Sequence, residues 1–300
     1  MHLILAPCNL GLRPLYPGHV PGTLRAPEVL MAQGLAERLH ADSVTWLPVT
    51  EYSPDAQAGT RLYNGHALRE FNLMLAEEVA RTQARQAFPL VIGGDCSVLL
   101  GALAGSRATG PVSLVHIDGH SDFRHPGNYD PQQKVGAVAG MDLALATGRG
   151  EVLLTRWPGI AEPLVQDEHA IQIGERESRD ANFAWPDIAQ SGITCLDVFT
   201  AQQMGTGMIK QAIAQVLHSQ PGQRYWVHFD VDVLDQAVMP AVDSPGSPGI
   251  DRRWLEEICA SLLACPLCCG MTVTVFDPDL DHDGRCAALI IGILENMFQR

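Results

Sequence analysis

Val112-Ser113-Leu114-Val115-His116-Ile117-Asp118-Gly119-His120-Ser121-Asp122 is the stretch that decides the fold of this chain. A short apolar run that stops at an acid and a glycine reads as a buried strand. In an extended chain residues i, i+2 and i+4 share a face, so Asp118, His120 and Asp122 project together if the extension persists. A second run, Tyr225-Trp226-Val227-His228-Phe229, ends in the same way, on Asp230-Val231-Asp232. Four carboxylates brought together cannot all stay ionised out of water unless cations lie between them. Oxygen-rich ligation with one imidazole suits divalent metal, and this many carboxylates suit two ions.

Working outward, apolar runs at 2–6, 43–48, 89–93, 112–118, 169–173, 193–196, 224–230 and 269–276 read as strands. Helical spacing fills 25–40, 66–86, 96–104, 136–147, 205–218, 251–264 and 284–298. In 66–86 the stripe is Leu68, Phe71, Leu75 and Val79, and Asp251 is placed to cap the helix that follows it. Alternation of β and α along the chain, with helical stretches between most of the strands, predicts an α/β fold, three layers deep, with an eight-stranded, mostly parallel sheet covered by helices on both faces. Eight strands also match a barrel count, but the connections 48–66, 122–136 and 233–251 are too long and irregular for barrel units. With no repeat or linker, residues 1–300 read as one domain.

Composition narrows the function. A hydrophobic fraction of 46% with 18% charged residues is that of an ordinary globular protein, and a net charge of −14 argues against nucleic acid or an anionic membrane as partner. The N-terminus lacks a basic region and a long apolar core, so it reads as a first strand, and a cytoplasmic location is expected. The eight cysteines are expected to be reduced, and Cys265-Pro266-Leu267-Cys268, lacking a second pair, to be packing rather than a zinc or redox site.

A third strand end, Val91-Ile92-Gly93-Gly94-Asp95-Cys96-Ser97, joins the other two. Cys96 is expected to open a helix whose partial positive charge lowers the thiol pKa, and thiolate is a metal ligand. Together, Gly93-Gly94-Asp95-Cys96-Ser97, Asp118-Gly119-His120-Ser121-Asp122 and Asp230-Val231-Asp232-Val233-Leu234-Asp235 resemble the three motifs of the ureohydrolase superfamily, which includes arginase, agmatinase and formiminoglutamase. The loop 240–249 and Asp277-Pro278-Asp279-Leu280-Asp281 resemble family segments too. The resemblance implies an arginase-like fold, a small-molecule substrate, two Mn²⁺ ions and a homo-oligomer, trimer or hexamer. It further implies that Asp118 and Asp230 bridge the ions, that His120 and Asp232 complete one position, and that Cys96 and Asp122 complete the other. Asp122 would also orient the attacking hydroxide.

Three positions depart from the family pattern. Cys96 replaces its histidine, and a soft thiolate favours Zn²⁺, Fe²⁺ or Ni²⁺ over Mn²⁺. Ala139 stands where the resemblance expects a proton-shuttling histidine, leaving His125 as the nearest substitute in sequence. Val275 stands where the family places the acid that receives a guanidinium group. Arg124, two residues beyond Asp122, resembles the formiminoglutamase pattern and suits bidentate recognition of a carboxylate. Asn128 is expected to line the same loop, and His228 to support the metal ligands from behind. The expected activity is metal-dependent hydrolysis of a C–N bond in an amidine, guanidino or amide compound bearing a carboxylate. The alternatives are a metal-binding protein of this fold without that turnover, or a mononuclear zinc deacylase.

Overall fold

The computed structural model describes residues 1–130, 132, 135–180, 186–220 and 222–299. Parts of the expected 122–136 connection therefore lie outside the described residues. The strands are β1 (His2–Ala6), β2 (Ser43–Trp46), β3 (Pro89–Gly93), β4 (Val112–Ile117), β5 (Ala170–Ile173), β6 (Thr194–Leu196), β7 (Arg224–Asp230) and β8 (Cys268–Thr274). They form one sheet in the order β2-β1-β3-β8-β7-β4-β5-β6, and every pairing is parallel.

Alternate residues of the inner strands enter opposite cores. Leu3, Leu5, Leu90, Ile92, Val115 and Ile117 face one side, and Ile4, Val91 and Leu114 face the other. The first side is covered by α1 (Ala26–Ala32), α2 (Leu35–Arg38) and three later helices whose apolar stripes include Ile213, Leu255 and Ile290. The second is covered by α3 (Gly65–Ala84), α4 (Val98–Ser106), α5 (Asp142–Ala146) and α6 (Val152–Thr155). The later helices of the first layer are α7 (Val198–Leu217), α8 (Arg252–Leu263) and α9 (Arg285–Phe298). Leu68, Phe71, Leu75 and Val79 of α3 are fully buried, as their spacing predicts. Each such side chain contributes about 1.5–3 kcal/mol by leaving water.

The departures from expectation are local. The 25–40 helix is broken in two, because Gly34 takes a left-handed conformation (φ 86°) that stops helical hydrogen bonding. The 205–218 helix starts earlier, at Val198, where Asp197 caps it by accepting from Thr200 N, and the chain kinks at Gly205. Asp251 does cap α8, accepting from Arg253 N and Trp254 N. None of the eight cysteines is in a disulfide. Among the described residues no helix is long and apolar enough to cross a membrane.

What positions the site is the strand order. β3 and β4 are consecutive in sequence yet stand three places apart, with β8 and β7 between them. The connections after these strands leave in different directions, and a crevice opens beyond their carboxyl ends. Asp118, Asp230 and Cys96 all lie at that edge.

Candidate metal centre

The β3 end is locked before it reaches its functional residue. A Cβ on Gly94 would sit 1.7 Å from Cys8 O, so the turn lies hard against the segment after β1 and only glycine fits. Fully buried Asp95 ties the turn down, accepting from Gly11 N at 3.0 Å and Ser97 N at 2.9 Å. Cys96 follows, with Sγ 2.7 Å from Asp230 Oδ2 and 3.3 Å from Thr274 Oγ1. The expectation of a lowered thiol pKa is corrected here. Cys96 lies in a turn before α4, and burial, then Asp230 and Asp118, push its thiol well above the usual range. Two buried carboxylates outweigh the partial charge of a helix end.

The β4 and β7 ends interlock. Beyond Ile117 the chain does not stay extended: it turns, and Asp122 reaches φ 45°. The turn, rather than strand alternation, brings the acids together. Asp118 Oδ1 accepts from His120 N at 2.6 Å, and Asp230 Oδ1 accepts from Asp232 N at 2.8 Å. Asp232 Oδ1 accepts from Gly119 N at 3.0 Å, while its Oδ2 lies 2.8 Å from His120 Nδ1. Ligand atoms of Asp118, His120 and Asp232 all fall within 4.8 Å of one another. Cys96, Asp118 and Asp230 do so as well, together with His228. Asp122 groups with Asp118 and His116, and among the described residues no such group joins Asp122 to Cys96.

Behind the acids is a wholly buried polar layer. His116 of β4 and His228 of β7 stack at 4.9 Å between ring centroids, and both approach Asp142 of α5. His116 Nε2 is 3.3 Å from Asp142 Oδ1, and His228 Nε2 is 3.6 Å from Asp142 Oδ2.

The electrostatics call for cations. Burial raises Asp118, Asp122 and Asp230 well above the usual carboxylate range, and their mutual proximity raises them further. Burial also pushes Asp232 up, but the His120 charge and hydrogen bond outweigh it and leave its carboxyl below the usual range. Asp118 Oδ2 is buried without a hydrogen-bond partner. Orphaned oxygens, an imidazole and a thiol around like-charged carboxylates fit divalent metal in donor chemistry.

The cleft over these residues is lined by Arg13, Arg124, Ala139, Glu177, Asp243 and Val275 as well as the acids. Arg124 is therefore where the sequence suggested. His125 and Asn128 are not brought to it. The His125 ring is held by Asp187 on one nitrogen and by Gly127 N on the other, and the Asn128 amide donates to Phe123 O and Asp187 Oδ1. Both pin their loop to Asp187. Glu177 and Asp243 were missed. Glu177 could have been found from Gly174-Glu175-Arg176-Glu177, which follows β5 as the other acids follow their strands. Asp243 is pushed up to about 6 by burial and then by Asp232.

The comparisons agree with this fold. The arginase family model matches residues 16–299. The chain is similar to an arginase of Bacillus caldovelox, 27% identical over 88% of this chain and 81% of that one. The structure of the Bacillus caldovelox arginase superposes with a TM-score of 0.85 at 24% identity, covering 100% of this chain and 98% of that one. A formiminoglutamase of Trypanosoma cruzi gives 0.71 at 17%, covering 99% and 91%. With the family model spanning nearly the whole sequence, the chain belongs to the arginase family, whose members are metallohydrolases acting on non-peptide C–N bonds.

Proposed function

We propose that this chain hydrolyses the C–N bond of a small amidine, guanidino or amide compound that also carries a carboxylate. The observation that carries the reading is the cleft itself, which Arg13 and Arg124 line together with the acids, and where Val275 lies at the position for which the family resemblance implies an acid. An arginine is suited to a planar carboxylate by its forked donors. Glu177 and Asp243 lie in the same cleft and supply negative charge for the polarised nitrogen end of such a substrate. Glu177 Oε2 is already held by Ser121 N and Oγ, each at 3.2 Å, which fixes its direction.

Asp118, His120, Asp122, Asp230, Asp232 and Cys96 would hold two divalent ions, Mn²⁺ by family resemblance and Zn²⁺, Fe²⁺ or Ni²⁺ by the softness of Cys96. Such ions supply a nucleophile from water at neutral pH and polarise the carbon under attack. Ala139 cannot carry a proton, and His125 is held away from the cleft. The carboxyl of Asp243, pushed up to about 6, is therefore a cleft group outside the ligand set that can hold one near the leaving nitrogen. The test is release of urea or ammonia across a panel of guanidino, formimino and acylamino compounds, each with Mn²⁺, Zn²⁺, Fe²⁺ and Ni²⁺ in turn. Best turnover of a carboxylated amidine or amide supports the reading. Best turnover of agmatine, which has no carboxylate, sinks it.

A further inference from the structure

We propose that His228 is itself a metal ligand, completing with Cys96, Asp118 and Asp230 the cation position deepest under the sheet edge. The proposal rests on the metal-centre reading above and goes beyond it by recruiting a strand residue behind the acidic motif. Ligand atoms of these four buried residues lie within 4.8 Å of one another. Metal bonds of about 2.0–2.3 Å keep the ligand atoms of one ion less than about 4–4.6 Å apart, so a group already within 4.8 Å needs only a small closing movement to hold one.

The imidazole is prepared for the role. His228 Nδ1 lies 2.7 Å from Thr272 Oγ1, the next residue across the sheet. With Nδ1–H donating there, Nε2 carries a lone pair, and Nε2 is buried without a hydrogen-bond partner. Asp118 Oδ2 is orphaned in the same pocket of polar atoms. A ring pinned through one nitrogen, with only the Asp142 carboxylate 3.6 Å from the other, leaves that second nitrogen free to ligate. The geometry has a simple logic. Cys96 removes an imidazole from the β3 side, and His228 restores one from β7, two residues ahead of Asp230 and on the same face of the strand.

The donor sets then differ. The deep position offers sulfur, nitrogen and two carboxylates, and the outer one, at His120 and Asp232, only nitrogen and carboxylates. The deep position should prefer Zn²⁺ or Co²⁺ over Mn²⁺ more strongly than the outer one does.

The experiment loads the metal-free full chain with Zn²⁺ or Co²⁺. It reads stoichiometry, affinity and the count of sulfur and imidazole donors by X-ray absorption, for wild type, His228→Ala and His228→Gln. The expected result is two ions per chain in wild type, with one sulfur donor on one ion. Either variant should lose one imidazole donor and weaken that ion at least 100-fold, leaving the other in place. A structure of the zinc-loaded wild type, which needs no variant to fold, should show His228 Nε2 about 2.0–2.1 Å from an ion. A wild type holding two ions, with His228 Nε2 beyond about 3 Å from both, overturns the proposal and leaves the metal centre standing. A wild type that holds no ion overturns both.

Discussion

Asp232 binds the β4 end by two different atoms: Oδ1 accepts from the Gly119 backbone N–H and Oδ2 meets His120 Nδ1 at 2.8 Å. One carboxylate from β7 thus sets both the turn and the imidazole that would share its ion. With Asp232 as a ligand, as proposed, metal retention and the shape of the loop are coupled. Removing its charge should cost more than a ligand.

Asp230→Asn and Asp232→Asn should each lower metal content, measured on protein dialysed against a weak chelator. Asp232→Asn should also increase hydrogen exchange at Gly119, whose N–H loses a charged acceptor. Asp251→Asn changes a helix cap outside the ligand set, so it should cost at most about 1 kcal/mol and leave metal content unchanged. Equal metal content in all three would remove the ligand assignments.

Val275→Glu should raise turnover of guanidino compounds relative to wild type. The side chain lines the cleft and is 3% exposed, and a charged hydrogen bond there is worth about 1.5–3 kcal/mol, or one to two decades. Steady-state kcat/KM for arginine and agmatine is the measurement. No gain would mean that Glu177 and Asp243 already do what the missing acid would.

Val275 also holds a left-handed backbone, φ 73°, which is an outlier for a β-branched residue. Val275→Gly should therefore change stability little. Release of about 1–3 kcal/mol of strain offsets the loss of about 1.5–3 kcal/mol of apolar burial. Val273→Gly, at an ordinary strand position on β8, lacks that relief and should be the more destabilising by urea midpoint.

His125→Ala should leave the pH profile of kcat unaltered, since its ring is engaged by Asp187 and Gly127 rather than by the cleft. A lost limb in that profile would return His125 to the chemistry.

Arg149 grips Asp167 with two nitrogens at 2.7 and 2.6 Å, which holds the Asp167 carboxyl below the usual range, the hydrogen bond outweighing partial burial. A depressed carboxyl stabilises the fold above its unfolded pKa and loses that contribution as pH falls through the folded value. Asp167→Asn should thus cost about 0.5–1 kcal/mol at pH 7, the pair being partly exposed. The gap from wild type should close in acid, and urea melts at pH 7 and below pH 4 decide it.

The sequence by itself determined the sheet and the identity of its acidic edge. Each strand is a short apolar run stopped by a glycine, a turn or an acid, a signal that depends only on neighbours in the chain. Asp118, His120, Asp230 and Asp232 were legible for the same reason, standing directly after such runs. What only the tertiary structure decided were meetings between distant segments. Asp142 looks like a stray acid in the apolar helix Asp142–Ala146 until packing sets it against His116 and His228. Asp243 and Glu177 reach the cleft from separate loops. His125, next in sequence to the cleft arginine, is turned away by a partner 62 residues on. Local pattern fixes which face a residue takes on its own element. Which residues share a buried space follows from strand order and loop closure, and no local pattern carries that.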